Sequence, residues 1–224
     1  MQAIIGKKNS DDVMRNFIHG QLRPNKVLNP DLLQAFESKD RADFLSPQYH
    51  SLAYIDSNLQ AGNQRFFTSP LTLARLINLV EVKESDRCLI IGGLTGYSLA
   101  ILSQLASTVF SLEQDQDFVQ MIRDNFKEKP DYLSRIQQGT LTDGWPEKAP
   151  FNFILIEGGV ETIPQKVFDQ LSEGGSVVAV YNKNHLMGSG CIWRKNNGAI
   201  TSTCVFDAYV PTLAGFASPK TFSL

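Results

Sequence analysis

From Arg87 onward the chain alternates short unbroken apolar runs with stretches of helical spacing. Cys88–Ile91 is the first such run and stops at Gly92; a helical stretch from Thr95 to Ala106 follows, then a second run over Thr108–Glu113. Residues 115–128 carry helical spacing, 134–138 a weak strand signal, and FNFILIE (Phe151–Glu157) a strong one. Pro164–Leu171 predicts another helix, and Ser176–Tyr181 a strand after the Gly174-Gly175 turn. Strands apolar at every position, alternating with helices, mark a parallel sheet covered on both faces. The stretches CIWRK and AITSTCVFDAYV, on either side of Asn196-Asn197-Gly198, predict an antiparallel hairpin with an Asn-Gly turn. The expected fold is α/β, a doubly wound, mostly parallel, Rossmann-like sheet with a C-terminal antiparallel hairpin.

Residues 1–80 are patterned differently. Asp11–His19 and Asp31–Glu37 predict short helices opened by Asp or Asn, whose side chains satisfy free N–H groups. Arg23-Pro24 and Asn29-Pro30 punctuate them. Pro70 leads into LTLARLINLVEV, where Leu73, Leu76, Ile77 and Val80 keep helical spacing. The expected organisation is one domain over 1–224, an N-terminal helical cap (1–80) on an α/β core (81–224).

Composition narrows the class. With 224 residues, 42% hydrophobic and 20% charged, the chain has an ordinary globular mix, which excludes disorder, collagen and coiled coil. Lys and Arg total 21 against 23 Asp and Glu, a net charge of −2, so nothing draws the chain onto phosphate backbones and no nucleic-acid partner is expected. No apolar run reaches the roughly 18 residues of a membrane span, and the N-terminus lacks a signal-peptide core, so a cytoplasmic location is expected. Cys88, Cys191 and Cys204 are odd in number and far apart, and predict separate core thiols in a reducing compartment. His19, His50 and His185 do not fall at metal-ligand spacing, and no metal is expected.

In open α/β sheets, ligands lie beyond the carboxyl ends of the strands, which directs attention to Gly92–Tyr97, Leu112–Asp115, Gly139–Asp143 and Glu157–Val160. Gly92, Gly93 and Gly96 make a glycine-rich strand-to-helix turn. Glu113 lies about 20 residues downstream, where a nucleotide-type cofactor needs an acid for its ribose hydroxyls. The run Gly92-Gly93-Leu94-Thr95-Gly96 does not match the G-x-G-x-x-G of dinucleotide sites. The shorter G-x-x-x-G form with a terminal hairpin points to S-adenosylmethionine, and a nicotinamide oxidoreductase is the minor alternative.

The chain resembles the protein-L-isoaspartate O-methyltransferase family, in a divergent bacterial branch. The likeness is carried by GQLRPNKVLNPDLLQAF, RADFLSPQYHSLAYIDSNL, DRCLIIGGLTGYSLAILSQLASTVFSLEQD, DGWPEKAPFNFILIEGGVETIPQKVFDQLSEGGSVVAV and FDAYVPTLAGFASPKTF. It implies methyl transfer from S-adenosylmethionine to the carboxylate of an isoaspartyl residue in damaged protein or peptide. That carboxylate is ionised at neutral pH, so alignment and water exclusion do the work without a general base. The family's G-x-G-Q-T-I-S-Q-P-like loop aligns with Gly62–Pro70, placing Thr68 on its serine, Arg65 on its glutamine and Ser69 one residue off register. Thr68 is the expected catalytic hydroxyl, and Arg65 an expected grip on a substrate carboxylate. The resemblance implies a cofactor site of Gly92, Gly93, Leu94, Gly96, Tyr97, Glu113, Gln114, Thr140, Leu141 and Glu157.

Three positions depart from the family. Ile90 stands where it carries an acid, Leu94 where it carries the middle glycine, and Thr140 where it often has Asp for the adenine amine, with Asp143 nearby. These departures keep open a binding or scaffold protein that retained the fold and lost the cofactor. The altered Arg65-Phe66-Phe67 stretch keeps open a methyltransferase with another acceptor.

Overall fold

The structure, a computed structural model, describes residues 12–183 and 187–219. Asp11, His185 and Lys220 to the end of the FDAYVPTLAGFASPKTF stretch therefore lie outside the described residues. The strands are β1 (Leu59–Gly62), β2 (Arg65–Phe67), β3 (Arg87–Ile91), β4 (Thr108–Glu113), β5 (Ile136–Gln138), β6 (Phe151–Val160), β7 (Leu171–Asn182), β8 (Gly188–Asn196) and β9 (Ala199–Asp207). Among helices, α1 is Pro30–Glu37, α2 Pro70–Ile77, α3 Tyr97–Leu102, α4 Gln116–Asn125, α5 Pro130–Leu133 and α6 Gln165–Asp169.

Seven strands form the main sheet in the order β5-β4-β3-β6-β7-β8-β9. Pairing is parallel from β5 through β7 and antiparallel for β7–β8 and β8–β9. This is the doubly wound, mostly parallel sheet with a C-terminal hairpin that the apolar runs predict. Because successive side chains of a strand point to opposite faces, Cys88 and Ile90 enter one core with Phe17, Phe36, Leu73 and Leu99, while Leu89 and Ile91 enter another with Phe110, Trp145, Phe151 and Phe216. Both faces are thus filled. Among the described residues, no helix is long and apolar enough to cross a membrane.

Element ends follow local chemistry. The Asn29 side chain accepts from the N–H groups of Asp31 and Leu32 and caps α1, with Pro30 in its first turn. The Ser69 hydroxyl does the same for α2 by accepting from the Thr72 N–H. That helix ends at Ile77, capped by Asn78, so Val80 falls beyond it despite its spacing. The helix expected over Thr95–Ala106 is shorter, because Gly96 is left-handed (φ 92°) and α3 starts only after it. The region expected as a helix over Asp11–His19 is helical at 12–16 and then continues as a wider helical turn through Phe17–Leu22.

Two features differ from expectation. A second, two-stranded sheet, β1–β2, was not signalled by the sequence; its turn residues Asn63 (φ 47°) and Gln64 (φ 58°) are both left-handed, the geometry of a tight hairpin without the usual glycine. The reading of three separate thiols fails for two of them: Cys191 and Cys204 face each other across β8–β9 and are disulfide-bonded, leaving Cys88 as a buried thiol. The hairpin turn Asn197-Gly198, left-handed at both positions, fixes the register that brings them together.

The disulfide closes a loop of sequence separation 13, so its loss is expected to lower stability by at most about 3 kcal/mol. Urea midpoints with and without reductant, and of a Cys191→Ser/Cys204→Ser protein, check this; the reduced wild type and the double variant should coincide.

Candidate cofactor and acceptor site

The carboxyl ends of β3 and β4 meet at the glycine turn. Gly92 leaves β3 left-handed (φ 85°) and donates its N–H to the Leu112 carbonyl at 2.8 Å. Close packing fixes the other glycines: a Cβ on Gly93 would lie 2.5 Å from Ser111 Oγ, and one on Gly96 would lie 3.0 Å from the Phe126 ring. Leu94 takes the remaining left-handed position (φ 48°), an uncommon one for a side-chain-bearing residue. It is held there because its side chain is buried among Leu45, Ala53, Leu59, Phe67 and Phe118. Leu94 thereby links the glycine turn to the β1–β2 hairpin and to the cap region.

Glu113 ends β4 with no solvent exposure. One carboxylate oxygen accepts from the N–H groups of Gln114 (2.7 Å) and Asp115 (3.2 Å), and the other from the N–H of Leu94 (3.0 Å). A fourth donor comes from a distant part of the chain: Arg65 Nη1 lies 2.6 Å from Glu113 Oε1. Its other terminal nitrogen, Nη2, donates to the Gly92 carbonyl at 3.0 Å. The Arg65 guanidinium also lies 5.9 Å from the centre of the Phe118 ring, and the residue is 8% exposed. In the structure Arg65 is turned inward, because the β1–β2 turn sets it directly over Glu113.

A cavity of about 360 Å³ opens beside this pair, lined by Asn63, Arg65, Gln114, Asp115, Gln116, Leu141 and Ala214. Gln114 and Leu141 thus sit with Glu113 and the glycine turn. Thr140 instead borders a separate cavity of about 710 Å³ with Asp143, which is ion-paired to Lys166.

The Glu157 carbonyl also borders Gly92, 3.4 Å from its Cβ position. Glu157 is buried and accepts a hydrogen bond from Ser98 Oγ. Tyr97 is buried with its hydroxyl unpartnered, its ring packed near Phe36 and Phe44, so it belongs to the cap-facing core. Thr68 Oγ1 is also buried and unpartnered. Sequence reasoning missed Arg41, which is 2% exposed and donates to the carbonyls of Ala53 (3.1 Å) and Thr68 (2.8 Å), with its guanidinium 5.7 Å from the Tyr97 ring centre. Burial lowers the Arg41 pKa from its ordinary value. No signal in the RADFLSP stretch distinguishes it from a surface arginine.

The residues fit a ribose-bearing cofactor in kind: a buried acid at a strand end, next to a glycine turn whose backbone comes close to it. They do not offer that acid freely. Of its two oxygens, Oε1 already receives three donors, Arg65 among them, and Oε2 receives one, from Leu94.

The family model described as protein-L-isoaspartate(D-aspartate) O-methyltransferase matches residues 13–215. The protein-L-isoaspartate O-methyltransferase of Pelotomaculum thermopropionicum is 31% identical over 183 residues, 80% of this chain and 80% of its own. That of Helicobacter pylori strain J99 is 30% identical over 192 residues, 84% of this chain and 90% of its own. Among solved structures, a protein-L-isoaspartate O-methyltransferase superposes with a TM-score of 0.76 at 23% identity, over 90% of this chain and 66% of that one. A Plasmodium falciparum structure, described as a beta-aspartate methyltransferase in complex with S-adenosyl-L-homocysteine, gives 0.73 at 20% identity, over 91% and 97%. At those identities the structural likeness is one of fold.

Burial raises the Glu157 pKa above its ordinary value, against the lowering effects of the Ser98 hydrogen bond and of Arg41 and Arg65. A carboxyl whose folded pKa exceeds the unfolded one lends stability that is complete below the unfolded value and lost as pH rises to the folded value. Glu157→Gln removes that dependence. Its stability relative to wild type should therefore increase as pH climbs out of the ordinary carboxylate range and then level off. Denaturant midpoints of both proteins between pH 4 and pH 8 check this.

Proposed function

This chain belongs to the protein-L-isoaspartate(D-aspartate) O-methyltransferase family, and we propose that it methylates the free carboxylate of isoaspartyl residues in protein or peptide, using S-adenosylmethionine. In this reading the chain is one methyltransferase unit, with residues 1–80 as cap and 81–224 as core, working in the cytoplasm. The observation that carries it is the buried Glu113 at the end of β4, facing the Gly92–Gly96 turn, within a family match spanning most of the chain.

When bound, S-adenosylmethionine supplies a methyl group made electrophilic by its sulfonium. Glu113, the glycine turn, Gln114 and Leu141 are the residues that would hold it. The acceptor carboxylate needs no base, since it is already ionised at neutral pH. What the chain must provide is alignment and a site free of bulk water. Two buried hydroxyls without partners, Thr68 and Tyr97, lie beside the Arg41 side chain in the part of the chain that would serve this task. An unsatisfied buried hydroxyl costs about 1–3 kcal/mol, and a substrate carboxylate is the acceptor that would satisfy Thr68. Arg41 positions Thr68 by holding its carbonyl, and places a positive charge beside it.

The second reading, a binding protein that kept the fold and lost the cofactor, is favoured by one observation: Arg65 occupies the cofactor acid.

Labelled S-adenosylmethionine with an isoaspartyl peptide and its aspartyl isomer divides these readings. Base-labile label on the isoaspartyl peptide alone is the expected result. No label despite S-adenosylhomocysteine binding would move the assignment to another acceptor. Thr68→Val should lower kcat about 100-fold to 1000-fold, the usual range for losing one positioned donor, while raising stability by about 1–3 kcal/mol, because a buried hydroxyl without a partner is removed. Turnover and thermal melting of the same preparation check both halves.

A further inference from the structure

Arg65 makes every contact expected of an internal ligand. Its guanidinium binds the Glu113 carboxylate and the Gly92 carbonyl together, at 2.6 and 3.0 Å. Its Nη2 lies 2.9 Å from where a Cβ of Gly92 would stand, so the guanidinium fills the space that the bare glycine leaves open. Arg65 also forms a wall of the 360 Å³ cavity. The segment that carries it is fastened at a second point, where Asn63 Nδ2 donates to the Asp115 carboxylate. At a third, Leu59 and Phe67 pack on Leu94 and Phe118.

The fastening is incomplete, however. Arg65 Nε is buried without a hydrogen-bond partner, so the guanidinium uses only part of its donor set in this position. Burying a donor unsatisfied is unfavourable, and this offsets some of what the ion pair contributes. The hairpin is short, with three residue pairs and a register shift between Gln60 and Gly62. Two-stranded hairpins of this kind have little stability of their own. The closed position depends on the latch.

We infer that Arg65 determines cofactor affinity in this protein by competing with the cofactor's ribose for Glu113, so that the β1–β2 hairpin must release its guanidinium before the cofactor can be held. This rests on the methyltransferase reading above and adds to it an internal competitor that sets the threshold for cofactor binding. A ligand that uses the acid must displace Arg65, whereas one that does not use it gains nothing from its removal. The effect is thus selective for ribose-bearing ligands, which a general loosening of the fold would not be.

Calorimetric titration of wild type and Arg65→Gln with S-adenosylhomocysteine, adenosine and adenine tests this. Gln is shorter and uncharged, and leaves Glu113 its three backbone donors. Arg65→Gln should bind S-adenosylhomocysteine and adenosine at least 10-fold more tightly than wild type, with adenine, which lacks the ribose, unchanged. In turnover, KM for S-adenosylmethionine should fall by a similar factor. Asn63→Ala, which unfastens the second point and leaves Arg65 in place, should shift affinity in the same direction by a smaller factor. If Arg65→Gln does not fold, Arg65→Lys carries the test, since a single ammonium cannot hold Glu113 and the Gly92 carbonyl in the same forked geometry; tighter adenosine binding is again expected. Wild type binding S-adenosylhomocysteine as tightly as a folded Arg65 variant overturns the competition and leaves the methyltransferase reading intact. A folded variant that binds no S-adenosylhomocysteine up to millimolar concentration overturns both.

Discussion

The Glu113 carboxylate is fully buried at the end of β4, one strand in from the sheet edge, and much of the local structure follows from satisfying it. An ion cannot be taken out of water without partners, since its desolvation outweighs any single contact. Three donors come from the backbone at Leu94, Gln114 and Asp115, which requires the glycine turn to fold back over β4. The fourth comes from Arg65, which draws the β1–β2 hairpin onto the turn. Once the hairpin is there, Leu59 and Phe67 cover Leu94, and that packing holds Leu94 in a backbone conformation that favours glycine. The hairpin, the unusual leucine and the buried acid therefore constrain one another. Removing one member of a buried pair typically costs about 3–5 kcal/mol because the other is left stranded; here the three backbone donors would soften that cost.

Much of the frame was legible in the sequence. Strands apolar at every position can be covered only on both faces, so Cys88–Ile91, Phe151–Glu157 and Ser176–Tyr181 fall in the centre of a parallel sheet. The glycine turn and an acid one strand further on point to the same end of that sheet, where the structure brings them within hydrogen-bond distance. The disulfide was also within reach. Cys191 and Cys204 are equidistant from the Asn197-Gly198 turn, so a two-residue hairpin with no net slip must place them opposite each other. Weighing the cysteines by number and spacing alone, without the turn, hid that pairing.

The direction of a long side chain was not legible. Arg65 in an aromatic stretch fits a surface grip on substrate as well as an inward ion pair, because four rotatable bonds allow either. The choice was made by the left-handed Asn63-Gln64 turn, which carries no glycine signal. Arg41 was invisible for a related reason. Its partners are the backbone carbonyls of Ala53 and Thr68, and backbone acceptors leave no mark in residue identity. Thr140 was placed by alignment on the cofactor's adenine end, yet the short helical turn Leu141–Asp143 sends Leu141 into the cleft cavity and leaves Thr140 on the neighbouring one.

The site holds two environments with opposite electrostatic logic. On the cleft side, an acid and a guanidinium are already paired, so a ligand can enter only by exchanging with one of them. On the cap side, Glu157 has a hydroxyl for its partner and its burial favours the protonated form, while Arg41 stays charged and the Thr68 and Tyr97 hydroxyls are unused. The two environments meet at a residue without a side chain, since a Cβ at Gly92 would lie 2.9 Å from the Arg65 guanidinium and 3.4 Å from the Glu157 carbonyl. The acid at the end of β4 is held by the protein's own cation, so what that side of the site can take is governed by Arg65.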